Sequence, residues 1–158
     1  MGEPLGHRVN AVAGWLAAAI FVGIGGLWAW DRFSPAPTPR FEPSLFVNVG
    51  SGPQTARERW FVAVNPLCSH CREHLGELAE SFRDRAGGRA LAALIVDTPS
   101  RPSADTLASL ATREIWWDSS QVWRRRWRHR AYGEVLVFDA SGRFIRALPP
   151  GASAEPPH

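Results

Sequence analysis

The sequence predicts a mixed α/β domain, a sheet flanked by helices, carried behind one N-terminal transmembrane helix. Three observations predict it. The runs LFVNV (45–49), WFVAVN (60–65) and LAALIVD (91–97) have the apolar content of strands, and the last is continuous enough to be covered on both faces. Between the second and third runs lies a long amphipathic segment, as a helix crossing between strands requires. Near the end, VLVFD (135–139) and RFIRAL (143–148) flank Ala140-Ser141-Gly142 and read as a hairpin. With 158 residues, 45% of them apolar, there is room for one domain with its own core plus an appendage.

The elements follow in order. Residues 1–8 form a tail. The uncharged stretch Val9 to Trp30, VNAVAGWLAAAIFVGIGGLWAW, is 22 residues long. As a helix it spans about 33 Å, enough to cross a hydrocarbon core of about 30 Å. Trp28 and Trp30 sit where an interfacial belt belongs. A cleaved signal peptide has a shorter apolar core and a small-x-small site, whereas this run ends WAWD. Arg8 precedes the span and Arg32 and Arg40 follow it, so the charge count does not choose an orientation. Residues 31–43 carry prolines at 35, 37, 39 and 43 and predict an extended spacer.

The domain is expected over 44–148. A helix from Ser69 to Ala86 places Leu75, Leu78, Ala79 and Phe82 on one face, with Gly87-Gly88 to stop it. A second helix is expected from Ser103 to Ala111, then a short strand at IWW (115–117). A third helix is expected from an Asp118 or Ser119 cap through about Arg130. Residues 149–158 read as a disordered tail. With no helix after Leu148, the sheet near Phe138 and Phe144 is expected to be incompletely covered, leaving it to a partner protein or to the segment 45–49.

There is no lysine, so the net charge of +3 rests on arginine, and Schiff-base chemistry is excluded. The chemistry concentrates in PLCSHCREH (66–74), which holds both cysteines. It lies where a strand ends and a helix begins. There the first helical turn offers unpaired N–H groups and the positive end of the dipole to Cys68, favouring its thiolate, while Cys71 is covered one turn in. The spacing allows a small disulfide ring to close. Cys68 is then the attacking thiol and Cys71 the resolving one.

From Leu45 to Leu148, the order strand, CxxC, helix, strand, helix insertion, helix, hairpin resembles the thioredoxin-like superfamily. The match is best in WFVAVNPLCSHC and VLVFDASGRF. The resemblance implies a membrane-tethered thiol-disulfide oxidoreductase with no cofactor beyond its redox-active disulfide. It implies a protein substrate, a place on the bacterial inner membrane facing the periplasm, and a role in maturing a cytochrome or another enzyme. His70, just before the second cysteine, is similar to the arrangement in periplasmic disulfide oxidases, which implies a lowered Cys68 pKa. The substrate groove of the family maps onto Tyr132, Gly133 and Glu134. Gly133 stands where the family has a cis-proline, WFVAVN lacks the family's buried acid, and the usual C-terminal helix has no counterpart.

Metal carriage is the competing chemistry. Cys68, Cys71 and His74 offer two thiolates and an imidazole suited to zinc or cuprous copper, as in a metallochaperone or an assembly factor docked on a membrane complex. The alternative for His74 is the exposed helix face. Glu134 is either a proton acceptor for the thiols or an exposed carboxylate at a strand start. In WRRRWRHR (123–130), Trp123 and Trp127 face the core at i, i+4 and Arg124, Arg125 and Arg128 face solvent; nucleic-acid binding is not expected.

Overall fold

The computed structural model describes residues 20, 22–24, 26, 37–52, 56–83 and 88–152. They belong to two compact units divided after Ala36. In the first, residues 20, 22–24 and 26 are helical, and Ile20, Val22 and Ile24 are exposed. The rest of the expected anchor, the tail 1–8 and spacer residues 31–36 lie outside the described residues. Among the described residues no helix is long and apolar enough to cross a membrane.

The second unit is built on a six-stranded sheet in the order β1-β4-β3-β2-β5-β6. The strands are β1 (Val47–Asn48), β2 (Glu58–Val64), β3 (Arg89–Ile95), β4 (Glu114–Trp117), β5 (Val135–Asp139) and β6 (Phe144–Leu148). β2, β3 and β4 are parallel, while β1, β5 and β6 pair antiparallel with their neighbours. Helix α1 (Ser69–Arg83) crosses from β2 to β3, and helix α2 (Ala104–Ala108) from β3 to β4. Side-chain alternation sorts the two faces. Trp60, Val62 and Val64 of β2 join Leu75 and Leu78 of α1 in one cluster, and Phe61 and Ala63 point into the other. Burying each of those leucines stabilises the fold by about 1.5–3 kcal/mol.

Several boundaries differ from the sequence expectation. The first strand is only Val47–Asn48, because Pro43–Leu45 forms a single 3-10 turn with Pro43 at its start. Helix α1 ends at Arg83, and residues 84–87 lie outside the described residues. The second helix is shorter than expected and is capped by Ser103, whose Oγ accepts the Thr106 N–H at 3.2 Å.

The expected third helix is replaced by a single π-type turn, Val122–Arg126. Gln121 on one side (φ 57°) and Arg128 on the other (φ 60°) adopt left-handed backbone, which an α-helix cannot continue. Asp118 anchors the turn: its two carboxylate oxygens each accept a backbone N–H, from Val122 and Trp123, at 2.8 Å.

Among the described residues no α-helix lies on the second sheet face, yet that face is covered at Phe138, in part by Leu45 and Phe46 of the segment expected as one possible cover, while Phe144 is only partly buried. Phe138 is fully buried. Trp127 lies 5.5 Å from its ring, Phe41 stacks on Phe46 and packs tilted against Phe61 and edge-on to Trp116, and Phe144 packs at the edge. The chain thus supplies its own lid from residues 41–46 and 122–127. Phe41 belongs to this core although it falls within the expected spacer. Its N–H donates to Gly142 O at 2.9 Å, in the left-handed turn of the hairpin (Gly142 φ 77°). Beneath the aromatics, Arg59 Nε pairs with Glu114 Oε1 at 2.6 Å, and the same oxygen accepts the Trp116 indole N–H.

Candidate functional site

The carboxyl ends of β2, β3 and β4 and the start of β5 lie at one edge of the sheet. At the end of β2, Asn65 builds the turn that delivers the cysteines. Its side-chain oxygen accepts the Leu67 N–H and its carbonyl accepts the Cys68 N–H, both at 2.9 Å. Cys68 then takes the cap position of α1, and its Sγ accepts the Cys71 N–H at 3.2 Å. Cys68 and Cys71 are joined in a disulfide, with Cα atoms 5.4 Å apart.

The two sulfurs sit in different surroundings. Cys68 is half-buried beside Leu67, which is 94% exposed, whereas Cys71 is 1% exposed within the apolar cluster under α1. When the disulfide opens, the Cys71 N–H and the helix terminus favour a negative charge on Cys68, and burial opposes one on Cys71. His70 is exposed on the same turn.

His74 is buried, at 3% exposure, rather than lying on the outer helix face. Neither ring nitrogen has a hydrogen-bond partner, and Glu77 Oε2 stands 3.8 Å from Nδ1. Burial lowers its pKa, against a smaller upward pull from Glu77. The sign for stability follows: below the ordinary histidine value of about 6.5 the unfolded chain takes up a proton that the folded chain resists. Stability contributed by the neutral ring is therefore present above that pH and lost as pH falls. Thermal unfolding from pH 7.5 to 5 is expected to show wild type losing stability relative to His74→Leu; parallel curves would contradict this.

The two sulfurs are bonded to each other, and among the described residues no group of three His, Cys, Asp or Glu is disposed to hold an ion.

The Tyr132-Gly133-Glu134 segment runs beside the end of β2. The Gly133 N–H donates to Ala63 O at 2.7 Å, and the Ala63 N–H donates to Glu134 O at 3.0 Å. Gly133 has φ 81°, a conformation its lack of a Cβ permits. Glu134 is neither an exposed carboxylate nor free to serve the thiols. It is buried, with Oε1 accepting the Trp123 indole N–H at 2.7 Å and Oε2 bonded to His129 Nδ1 at 2.9 Å. By alternation it shares the face of Leu136, opposite α1.

Tyr132 packs against both clusters and stacks on Trp123, and its hydroxyl donates to Asp97 Oδ2 at 2.8 Å. Arg124, expected in solvent, instead forks onto Asp97 through Nε and Nη2, and Nη2 also reaches the Tyr132 hydroxyl. These bonds hold the Asp97 carboxyl below its usual range. Asp97 itself has φ 54°, so it joins Gln121 and Arg128 as a left-handed non-glycine residue flanking this edge. Sequence reasoning missed Asp97, His129 and the Asn65 turn. Only the last had a local signal, an Asn-Pro pair just before the cysteines.

No protein-family model matches the chain, and no curated protein matches it. Among solved structures it is similar to StoA from Bacillus subtilis, with 15% identity, 76% of this chain and 94% of that one covered, and a TM-score of 0.56. It is also similar to the thioredoxin domain of a thiol-disulfide oxidoreductase from Bacteroides vulgatus, with 13% identity, 75% and 86% covered, and a TM-score of 0.52. The chain has a thioredoxin-like fold, with a disulfide at the start of the helix that follows β2.

Proposed function

We propose that the chain is a membrane-anchored thiol-disulfide oxidoreductase that exchanges disulfides with a protein substrate through Cys68 and Cys71. The observation that carries this reading is the asymmetry of the pair: an accessible sulfur that accepts a helix N–H, bonded to a buried one. A substrate thiolate attacks Cys68 Sγ, the Cys68–Cys71 bond breaks, and its electron pair stays on Cys71, which takes up a proton. A second substrate thiolate then attacks the substrate sulfur of the mixed disulfide and releases Cys68 as thiolate. The substrate dithiol has lost two electrons to the enzyme, and the steps run backwards for reduction. Direction follows from the reduction potentials of the pair, the substrate and the compartment.

The exposed Leu67 beside Cys68 supports apolar contact with a substrate, and the 132–134 segment, bonded to Ala63 near the end of β2, supports a groove there. The uncharged stretch 9–30, with Ile20, Val22 and Ile24 exposed along it, supports an anchor in the bacterial inner membrane, and the disulfide supports a periplasmic domain. Maturation of a cytochrome or another enzyme is the task that fits a tethered member of this kind.

The full chain in mild detergent, equilibrated in glutathione redox buffers, is expected to show one reversible two-electron couple between disulfide and dithiol. A pair that stays oxidised or reduced across the whole range would overturn the reading. Reporters fused after His158 are expected to give active alkaline phosphatase and a dark cytoplasmic fluorophore. The opposite pattern would place the domain in a reducing compartment.

A further inference from the structure

We infer that His74 is the internal proton acceptor for Cys71 during disulfide exchange, a role that rests on the oxidoreductase reading above. Only a thiolate attacks a disulfide, so the resolving sulfur must lose its proton before it can act. Cys71 is 1% exposed in an apolar cluster, where water is excluded and burial favours the neutral thiol. It needs a base inside the fold.

His74 lies one turn further along α1, and both residues are on its buried side. At i and i+3 on one helix the two side chains are surface neighbours, and in the oxidised state neither ring nitrogen hydrogen-bonds to the Cys71 sulfur. A buried imidazole with neither nitrogen hydrogen-bonded is costly, and such a group calls for an explanation beyond packing. The strands beneath the helix add apolar side chains, Val62 and Val64 from β2 and Ala93 and Ile95 from β3. The charged or titratable groups that act on the ring are Glu77 and His70, both on α1. Burial keeps the ring neutral near pH 7, the form that accepts a proton.

With Cys68 in a mixed disulfide, the Cys71 thiol gives its proton to the imidazole. The Cys71 thiolate bonds to Cys68 Sγ, the bond from Cys68 to the substrate sulfur breaks, and the electron pair leaves as substrate thiolate. The imidazolium beside Glu77, whose carboxylate is mostly exposed, returns its proton to solvent. In the opposite direction the proton reaches Cys71 by the same route.

The test uses the full reduced chain and dithiobis-nitrobenzoate. Cys68 releases one coloured thiolate on attack, and Cys71 releases the second when it resolves the mixed disulfide. For His74→Gln, the ratio of second to first rate constants is expected to fall about 100-fold at pH 7. The deficit should shrink as pH rises past the ordinary cysteine value of about 8.5 into the higher range that burial imposes on Cys71, where the thiol ionises unaided. An unchanged ratio, or a fall that is the same at every pH, would overturn the inference and leave the oxidoreductase reading standing. A wild-type chain that never releases the second equivalent would overturn that reading, and the inference with it. Should His74→Gln not fold, the wild-type ring resonances decide: opening the disulfide should shift the titration of His74, and an indifferent ring overturns the role.

Discussion

Cys71→Ser is expected to accumulate mixed disulfides with substrate proteins, and Cys68→Ser to accumulate few or none. The reason is positional. Cys68 sits at the cap of α1, half-exposed, with the Cys71 N–H directed at its sulfur at 3.2 Å, whereas Cys71 is enclosed in the core. Thiols at helix starts have pKa values of about 3.5–7.5 against about 8.5 for a free cysteine. In the reduced protein at pH 6, an alkylating reagent is therefore expected to label Cys68 at least about tenfold faster than Cys71. His70→Ala is expected to slow that labelling, on the proposal that the exposed imidazole in the first turn of α1 supports the thiolate. Peptide mass mapping after short exposure reads both rates. Equal labelling, or trapping through Cys71 alone, would overturn the assignment of roles.

Trp127→Ala is expected to destabilise the domain by about 3–5 kcal/mol, a large share of the total stability of a domain this size. Trp127 is 2% exposed and sits 5.4 Å from the Phe46 ring and 5.5 Å from Phe138. It is a central piece of the aromatic lid over the face on which no α-helix lies among the described residues, so its loss opens a cavity and exposes β5. Guanidinium unfolding followed by near-ultraviolet dichroism measures the effect. The exposed neighbour Arg125→Ala, within about 0.5 kcal/mol of wild type, is the control. A Trp127 cost below about 1 kcal/mol would mean that the aromatic lid does not cover the sheet as described.

The cysteine site was legible because its signals are local. An apolar strand run, CxxC and an amphipathic helix follow one another between Glu58 and Arg83, and each depends on near neighbours in the chain. Over that distance, short-range hydrogen bonds and a helical period are enough to fix which thiol is capped and which is covered. The hairpin at 135–148 was legible for the same reason, since Asp139, Gly142 and Arg143 close its turn among themselves.

What the sequence by itself determined, then, is the strand order with its first two helices, the CxxC placement at a strand-to-helix junction, and the burial of Trp123 and Trp127, whereas the third helix it predicted is a π-type turn. What only the tertiary structure decided depends on groups far apart in the chain. Arg124 reads as a solvent-facing arginine until β3 brings Asp97 to it, and Glu134 reads as exposed until the turn at 122–126 places Trp123 and His129 over it. The sequence pattern after Leu148 showed no helix to cover one sheet face. Phe41 and Phe46 reach that face from the opposite end of the domain, because the apolar area of β2 and β5 must be removed from water by whatever aromatic surface the chain can bring. The burial of His74 was undecided in the same way: helical periodicity puts it at the border of the apolar stripe, and only the packing of α1 on β2 and β3 sets it inside.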